Sequence, residues 1–454
     1  MTLFPFSTNR FPLTQALRRA TTWGLLVGLL GSGCAANISL KTAKNNNPAI
    51  PAFEIPTGES AVALCGNLPT PLTDEEQVYA QVAWQYFVNN RQPKTGMVNA
   101  ADSYPSGTLW DQGNYLTALN AVLWMDLIDK DDFDQQFTQF LSGLAQLPLF
   151  EDTLPHKVYN SATAEIVDYG NNPSERGLGW SALDIGRMLA ALHVMRTCHP
   201  QYAEMIESVV ATWDLEASIK DGQLYGATVT DKDKTQRVQE GRLGYEEYAA
   251  RGYERWGYSV PKALALEPKS MVSLEGVSIP VDTRDFATTN ANNYVVSESY
   301  ILDAIEFGLS EELEGYAKNL LMAQKKRFER TGKLTAVSED NLDQAPHFLY
   351  NTAYSNGEDW AVITDKNEAF PELRTLSTKA AFGWRYLFPD DAYAKQVFDV
   401  AKTLQDPDKK GFYAGQYESN KKPNAILTGN TNGLILEILY YKARGNQHVL
   451  KDQS

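Results

Sequence analysis

The stretch Gln239–Tyr258, QEGRLGYEEYAARGYERWGY, combines five acids or amides with five aromatic side chains. Alanines and long side chains favour a helix between Gly244 and Trp256, although no continuous apolar stripe runs along it. Tyr and Trp side chains in such number are costly to leave in water, so this helix is expected to face a cleft. Aromatic faces beside carboxylates are typical of a site that handles sugars.

A paired-helix pattern recurs along the chain on both sides of this stretch. An amphipathic helix is followed by a long loop, and a segment marked by Gly, Trp, Thr or an acid then opens a more apolar helix. Six openings lie 58 to 70 residues apart, and their marks are Asp111, Trp180, Glu240, Glu298, Glu368 and Thr431. The fourth unit is the weakest, because its outer helix within 261–274 is hard to recognise.

Six helical hairpins predict an all-α fold, an (α/α)6 toroid, over residues 71–446. Apolar inner helices would stack around the axis, and amphipathic outer helices would cover them. An open helical solenoid is the alternative. We favour the closed ring because six is the closing number and the acidic, aromatic first turns need a common destination. The loops that lead into the inner helices would then converge on a cleft at one end.

Composition narrows the ligand class. The chain has 454 residues, a net charge of −15 and a pI of about 4.9, and it has no basic run. Nucleic acid is therefore not an expected partner, and an anionic polymer is a disfavoured one. The histidines lack zinc-ligand spacing, since His193 and His199 would face different ways on a helix. We expect neither a metal nor a cofactor.

The N-terminus resembles a secretory signal over residues 1–36. Arg10, Arg18 and Arg19 precede the apolar run Trp23–Leu30, which is too short to span a bilayer. Two endings remain open: lipid attachment at Cys34, although Gly31 departs from the usual lipobox, or cleavage after Ala36. The protein is thus expected in the periplasm or cell envelope, with a lipid anchor as its only membrane contact.

Two further segments flank the predicted toroid. Residues 37–70 are polar and proline-bearing and are interpreted as a flexible tether, and residues 447–454 as a C-terminal tail. Cys65 and Cys198 are the cysteines beyond Cys34. Export would permit a disulfide between them, but two buried thiols are equally compatible with the sequence.

Several long motifs resemble the DUF3131 family, a bacterial family named for lacking an assigned function. They are GTLWDQGNYLTAL (107–119), LPHKVYN (154–160), GLGWSALDIGRML (177–189), LYGA (224–227) and VQEGRLGYEEYAARGYERWG (238–257). The resemblance covers most of residues 71–443 and implies an exported, all-helical domain. It also implies an architecture similar to that of the six-hairpin, glucoamylase-like glycosidases, which include enzymes acting on β-1,2-glucans. It carries no catalytic assignment for individual residues.

The candidate catalytic residues are acids at the openings of inner helices, because glycoside hydrolysis needs two carboxyl groups. They are Glu240, Glu246, Asp111 and Asp184. Each has a structural alternative. Asp111 could be an N-cap, and Asp184 could pair with Arg187. Glu240 and Glu246 could pair with arginines at 242, 251 and 255.

Helix geometry limits the choice within the central stretch. Glu246 and Glu247 are adjacent and would point about 100° apart on a helix, so at most one of them faces a narrow cleft. Glu240 could approach from the preceding loop. The sequence leaves open which of the three turns inward.

Further residues are candidates for substrate binding: Trp110, Trp180, Tyr245, Arg242, Glu298, Asp359 and Trp360. The leading hypothesis is a glycoside hydrolase acting on a neutral extracellular or periplasmic glycan, such as a β-glucan. The alternatives are a non-catalytic glycan-binding or envelope-assembly protein and a polysaccharide lyase. A lyase would need a basic cleft, which the net charge disfavours.

Overall fold

Helices form the framework of the molecule. The computed structural model describes residues 55–450, and within that range it has thirteen α-helices. They are Gly58–Cys65 (α1), Asp74–Asn90 (α2), Leu109–Trp124 (α3), Lys130–Gln146 (α4), Ala182–Cys198 (α5), Ala203–Val210 (α6), Tyr245–Glu254 (α7), Phe286–Thr289 (α8), Glu298–Glu306 (α9), Glu311–Thr331 (α10), Thr378–Leu387 (α11), Ala392–Ala401 (α12) and Gly429–Ala443 (α13).

Six of these helices, α3, α5, α7, α9, α11 and α13, contact one another in a ring. Each contacts the next in chain order, and α13 returns to contact α3. They are the helices predicted as inner ones, and nearly all their residues are buried. Small residues permit the close packing. A Cβ on Gly252 of α7 would lie only 2.1 Å from the carbonyl oxygen of Gly186 of α5.

Helices α2, α4, α6, α10 and α12 precede inner helices and bury one face against the ring. In α4 the buried side chains are Phe133, Phe137, Phe140, Leu141 and Leu144, at the spacing of one helix face. A capping box starts α2, because Thr73 and Glu76 bond reciprocally.

The all-α prediction is wrong in the loops, which hold short antiparallel strands. They are Ser106–Gly107 (β1), Leu149–Phe150 (β2), Leu154–Pro155 (β3), Tyr159–Asn160 (β4), Ile219–Lys220 (β5), Gln223–Val229 (β6), Thr235–Gln239 (β7), Lys269–Leu274 (β8), Val277–Asp282 (β9), Glu339–Asn341 (β10), Phe348–Asn351 (β11), Tyr354–Ser355 (β12), Glu358–Asp359 (β13), Val362–Ile363 (β14), Thr375–Ser377 (β15), Tyr413–Tyr417 (β16) and Pro423–Leu427 (β17). Sheets of two or three strands satisfy the backbone groups of these long loops.

The fourth unit differs from the others. Strands β8 and β9 pair over residues 269–282 as a hairpin, where an outer helix was expected, and β9 packs against α10. This explains why no helical pattern could be recognised there.

The tether predicted for residues 37–70 does not hold for its second half. Helix α1 occupies residues 58–65 and is joined to α5 by a disulfide between Cys65 and Cys198. The Tyr440 hydroxyl also donates to the Cys65 carbonyl at 2.7 Å. These bonds fix α1 against the ring. The predicted signal, Cys34 and residues 37–54 lie outside the described residues.

The start of the predicted C-terminal tail is also packed. Leu450 is buried, and its backbone N–H donates to the Glu306 carbonyl at the end of α9. Within residues 55–450, no helix is long and apolar enough to cross a membrane. In the same range, no three His, Cys, Asp or Glu side chains are grouped to hold a metal ion.

Candidate functional site

Asp111 lies in the first turn of α3, where Thr108 is the N-cap. The Thr108 backbone N–H and hydroxyl each lie 2.9 Å from Asp111 Oδ2, while Oδ1 accepts no hydrogen bond from the described residues. Burial raises the pKa of the half-buried Asp111 carboxyl, whereas the Thr108 bonds and Lys379 lower it. The N-cap role considered for Asp111 therefore belongs to Thr108, and Asp111 keeps one free oxygen.

Asp184 lies in the first turn of the neighbouring helix α5. The Ser181 hydroxyl caps that helix and lies 3.1 Å from Asp184 Oδ1. Oδ2 accepts no hydrogen bond within the described part of the chain. Burial, then the charges of Glu240 and Asp111, raise the pKa of the half-buried Asp184 to about 8. This carboxyl is therefore protonated at neutral pH.

The ion pair considered between Asp184 and Arg187 does not form. Arg187 pairs instead with Glu306 and Glu437 inside the ring. Asp184 therefore has no arginine to hold its charge, and its high pKa follows.

Glu240 reaches α5 from the end of β7. Its Oε1 lies 2.9 Å from the Ser181 hydroxyl, and its Oε2 accepts the Ala182 backbone N–H at 2.6 Å. Gly226 makes room for it, since a Cβ there would lie 2.3 Å from Oε2. Burial raises the pKa of Glu240, while Lys157 and the α5 bonds lower it. Glu240 thus caps α5 and, through Ser181, sits beside Asp184.

A second acidic group surrounds Lys379 in the first turn of α11. Its ammonium contacts Glu298 of α9 and lies 3.7 Å from Asp340 of β10. Burial raises the pKa of Asp340 to about 7. Burial, then the charge of Glu298, raise the pKa of the adjacent, half-buried Glu339. The positive charge of Lys379 therefore lies beside three acids.

Aromatic rings lie between the two acidic groups. Trp110 of α3 contacts Tyr245 of α7, with ring centroids 5.5 Å apart. Tyr245 contacts Tyr294, which stacks on Tyr350 at 4.4 Å. The charges of Glu298 and Glu339 raise the pKa of the Tyr245 phenol further, after burial. First turns of α3, α5, α7, α9 and α11 thus meet at one end of the ring.

A family model described as a protein of unknown function, DUF3131, matches residues 78–445. The chain belongs to the DUF3131 family. The resemblance inferred from its motifs is therefore confirmed. A comparison with curated proteins finds no match.

Solved structures share the fold of this DUF3131 protein. A glucoamylase-like protein from Bacteroides fragilis is 11% identical and has a TM-score of 0.58, over 84% of this chain and 96% of the other. An endo-β-1,2-glucanase from Chitinophaga pinensis, solved with sophorotriose and glucose, is 14% identical with a TM-score of 0.57 over the same shares. One from Talaromyces funiculosus, solved with sophorose, is 11% identical with a TM-score of 0.58, over 86% and 88%.

The other acids of the central stretch in this DUF3131 protein turn elsewhere. Glu246 is 1% exposed and pairs with Arg284 at 2.7 Å, not with the arginines considered from sequence. Glu247 accepts a hydrogen bond from the Gly244 backbone N–H at the start of α7. It also lines a separate cavity of about 290 Å³ with Leu264 and Leu313. Only Glu240 of the three raises the pKa of Asp184.

Three predicted binding residues have structural contacts away from these acids. The Trp180 indole N–H donates to the Tyr225 carbonyl at 3.0 Å, and Trp180 packs on Phe150 in the core. Trp360 donates to Glu275 at 3.1 Å beside the fourth-unit hairpin. Asp359 is exposed in the β12–β13 hairpin.

Arg242 and Glu298 have different environments. Arg242 is 3% exposed and donates to the Arg284 carbonyl and the Thr289 hydroxyl, so it fixes a loop. Glu298 is fully buried beside Lys379, within the acidic group.

The DUF3131 site also contains residues that sequence reasoning missed. They are Lys157, Tyr169, Tyr294, Glu339, Asp340, Tyr350 and Lys379. Most lie in loops before inner helices, and Lys379 lies in a first turn. Their shared signal is that position.

Proposed function

We propose that this protein is an (α/α)6 toroid that hydrolyses glycosidic bonds in a neutral glycan. The observation that carries the proposal is the pair of half-buried carboxyls Asp184 and Asp111. The pKa of Asp184 is about 8, and part of that shift comes from the charge of Asp111. Environments that separate the pKa values of two neighbouring carboxyls define an acid and a base.

The roles follow from the protonation states. Asp184 is protonated at neutral pH and donates its proton to the leaving glycosidic oxygen. Burial raises the pKa of Asp111, while the Thr108 bonds and Lys379 oppose that rise and favour the ionised form that this role requires. Its free oxygen either activates a water molecule or attacks the sugar directly. Glu240 is a positioning residue, because it holds the start of α5 that carries Asp184.

The charge of the site supports a neutral substrate. The basic side chains beside the site are Lys157 and Lys379. The six carboxyl groups that surround it are Asp111, Asp184, Glu240, Glu298, Glu339 and Asp340. Two lysines among six carboxyls give no excess of positive charge, and a polysaccharide lyase needs such an excess to bind uronic acids. The acidic surroundings therefore support the hydrolase over the lyase.

The choice of a glucan as substrate is supported by fold alone. The closed ring of six helices fits a toroid, and two of the neighbours named above are endo-β-1,2-glucanases. We propose a β-linked glucan as the first substrate to test, since shared fold does not fix linkage.

Export to an oxidising compartment completes the proposal. The signal-like residues 1–36 support it, and so does the Cys65–Cys198 disulfide, because disulfides persist mainly outside the cytosol. We propose lipid attachment at Cys34 as the route to the membrane.

The test is a screen of the purified protein against β-1,2-glucan and other neutral glucans, with released reducing ends as the measurement. Wild-type protein is expected to cleave at least one, and Asp184→Asn and Asp111→Asn are expected to lose that cleavage. Asp359→Asn is the matched control, because Asp359 is an exposed acid in a distant hairpin. Full cleavage by Asp184→Asn would overturn the assignment, and binding without cleavage would favour a glycan-binding protein.

A further inference from the structure

A row of five aromatic rings runs from the acids to the protein surface. Successive ring centroids are 5.5, 5.9, 4.4 and 5.3 Å apart. The members of this aromatic row, in order, are Trp110, Tyr245, Tyr294, Tyr350 and Phe348. The distance between neighbouring ring centroids is comparable with the length of one sugar unit.

The inner end of the row has polar groups ready for a ligand. The Trp110 indole N–H and Glu298 Oε1 are both buried and have no hydrogen-bond partner among the described residues. Buried polar groups are rarely left unpaired in proteins. A sugar supplies hydroxyl groups that satisfy one donor and one acceptor at the same time.

The outer end of the row is exposed. Phe348 has 36% of its surface exposed, and Tyr294 and Tyr350 are half-buried. Tyr169 is 68% exposed and contributes to the raised pKa of Tyr350. Asp184, Glu240 and Asp365 in turn raise the pKa of Tyr169, after desolvation. Tyr169 therefore lies beside the aromatic row. An exposed aromatic ring so close to the acids indicates a surface that binds a ligand.

We propose that the aromatic row binds a neutral glycan chain several sugar units long. Trp110 holds the unit beside the acids, and Phe348 holds a unit farther along the chain. This inference rests on the proposed function and names its substrate class as a polymer rather than a disaccharide. The acids beside Tyr169 exclude anionic chains from the same row.

The experiment measures binding, so that it does not depend on cleavage. Asp184→Asn protein is used as the background, and linear neutral β-glucans of two and of eight or more units are compared by calorimetry and affinity electrophoresis. Phe348→Ala and Tyr169→Ala remove rings that are 36% and 68% exposed. Met271→Ala is the control, because Met271 is a large apolar residue, 49% exposed, on the fourth-unit hairpin.

We expect Phe348→Ala to bind the long glucan roughly tenfold more weakly and the disaccharide as before. Tyr169→Ala is expected to bind both ligands more weakly, because Tyr169 lies close to the acids. Met271→Ala is expected to match the background for both ligands. Equal affinities of all variants for the long glucan would overturn the aromatic row, and so would equal losses of Phe348→Ala for both lengths. If the aromatic row is overturned but wild-type protein cleaves glucan, the proposed hydrolase function still holds. If affinity falls only for the long glucan but wild-type protein cleaves no glucan, the aromatic row is supported and the hydrolase proposal is overturned.

Discussion

Two acidic clusters occupy the same ring of helices and differ in charge balance. Inside the ring, Glu306 and Glu437 share Arg187, which is 0% exposed and also donates to Asn114, Thr117 and Tyr248. At the loop end, Asp111, Asp184 and Glu240 have no arginine partner. The inner cluster is closed and hydrogen-bonded, whereas the loop-end cluster keeps free oxygens.

The difference separates structural acids from chemical ones. When a buried cation pairs with two acids, the cation and the acids stabilise each other. Removing the cation leaves unpaired charge in a medium of low dielectric. Acids without a matched cation keep their protons to higher pH, which is what proton donation requires. Burial alone would not have distinguished the clusters, because it raises the pKa of Glu306 and of Asp184 alike.

The largest expected effect is on stability, from Arg187→Met. This change leaves Glu306 and Glu437 without their cation and is expected to cost about 3–5 kcal/mol in the free energy of unfolding. Glu306→Gln is expected to cost less, because Arg187 keeps Glu437. Urea denaturation measures both.

Arg330→Met is the matched control for that experiment. Arg330 is exposed and pairs with Glu275, so its loss is expected to cost far less than the loss of Arg187, because water screens the pair. An equal cost for Arg187→Met and Arg330→Met would contradict the structural role of the inner cluster.

Asp184→Asn is expected to show the reverse pattern. Cleavage should fall by about 10²–10⁴-fold, as for loss of a general acid. Stability at pH 8 should stay the same or rise, because an unmatched acid has been removed. Kinetics and urea denaturation of one preparation give both numbers. A variant that loses stability together with activity would assign Asp184 to structure.

Glu240→Gln tests the positioning role. An amide has one acceptor where the carboxylate uses two, so the change is expected to cost about 1 kcal/mol of stability, as for a weakened helix cap. It also removes a charge that raises the pKa of Asp184. The alkaline limit of kcat/KM should therefore move to lower pH. If that limit does not move, Glu240 does not raise the pKa of Asp184.

A pH dependence of stability is also expected. The pKa of Asp184 is higher in the folded protein, about 8, than in an unfolded chain. Its favourable contribution is therefore complete in acid and is lost as pH rises towards 8. Wild type should lose more stability than Asp184→Asn between pH 5 and pH 9 in thermal unfolding. Parallel curves for the two proteins would contradict the raised pKa.

The sequence predicted the ring better than the site. The recurring openings at Asp111, Trp180 and Glu298 located inner helices, because small apolar helices must stack on each other. The fourth outer helix could not be predicted, since a β-hairpin stands there. Local patterns also missed the loop strands, whose pairing depends on residues distant along the chain.

Within the candidate site, sequence analysis selected only residues that open an inner helix. Asp111, Asp184 and Tyr245 met that rule, and the structure brings them together. Glu246 met it too, but Arg284 lies 38 residues away and its contact is set by the fold. Tyr350 and Glu339 come from strands that reach the site only through ring closure, so their spacing carried no signal.

The protonation state of Asp184 is the most direct test of the proposed acid and base. A carbon-13 NMR titration of labelled aspartate carboxyls, with the Asp184 signal assigned by its absence in Asp184→Asn, measures that pKa. We expect a value of about 8. A value near the ordinary 4 for aspartate would contradict it, since Asp184 would then carry no proton to donate at neutral pH.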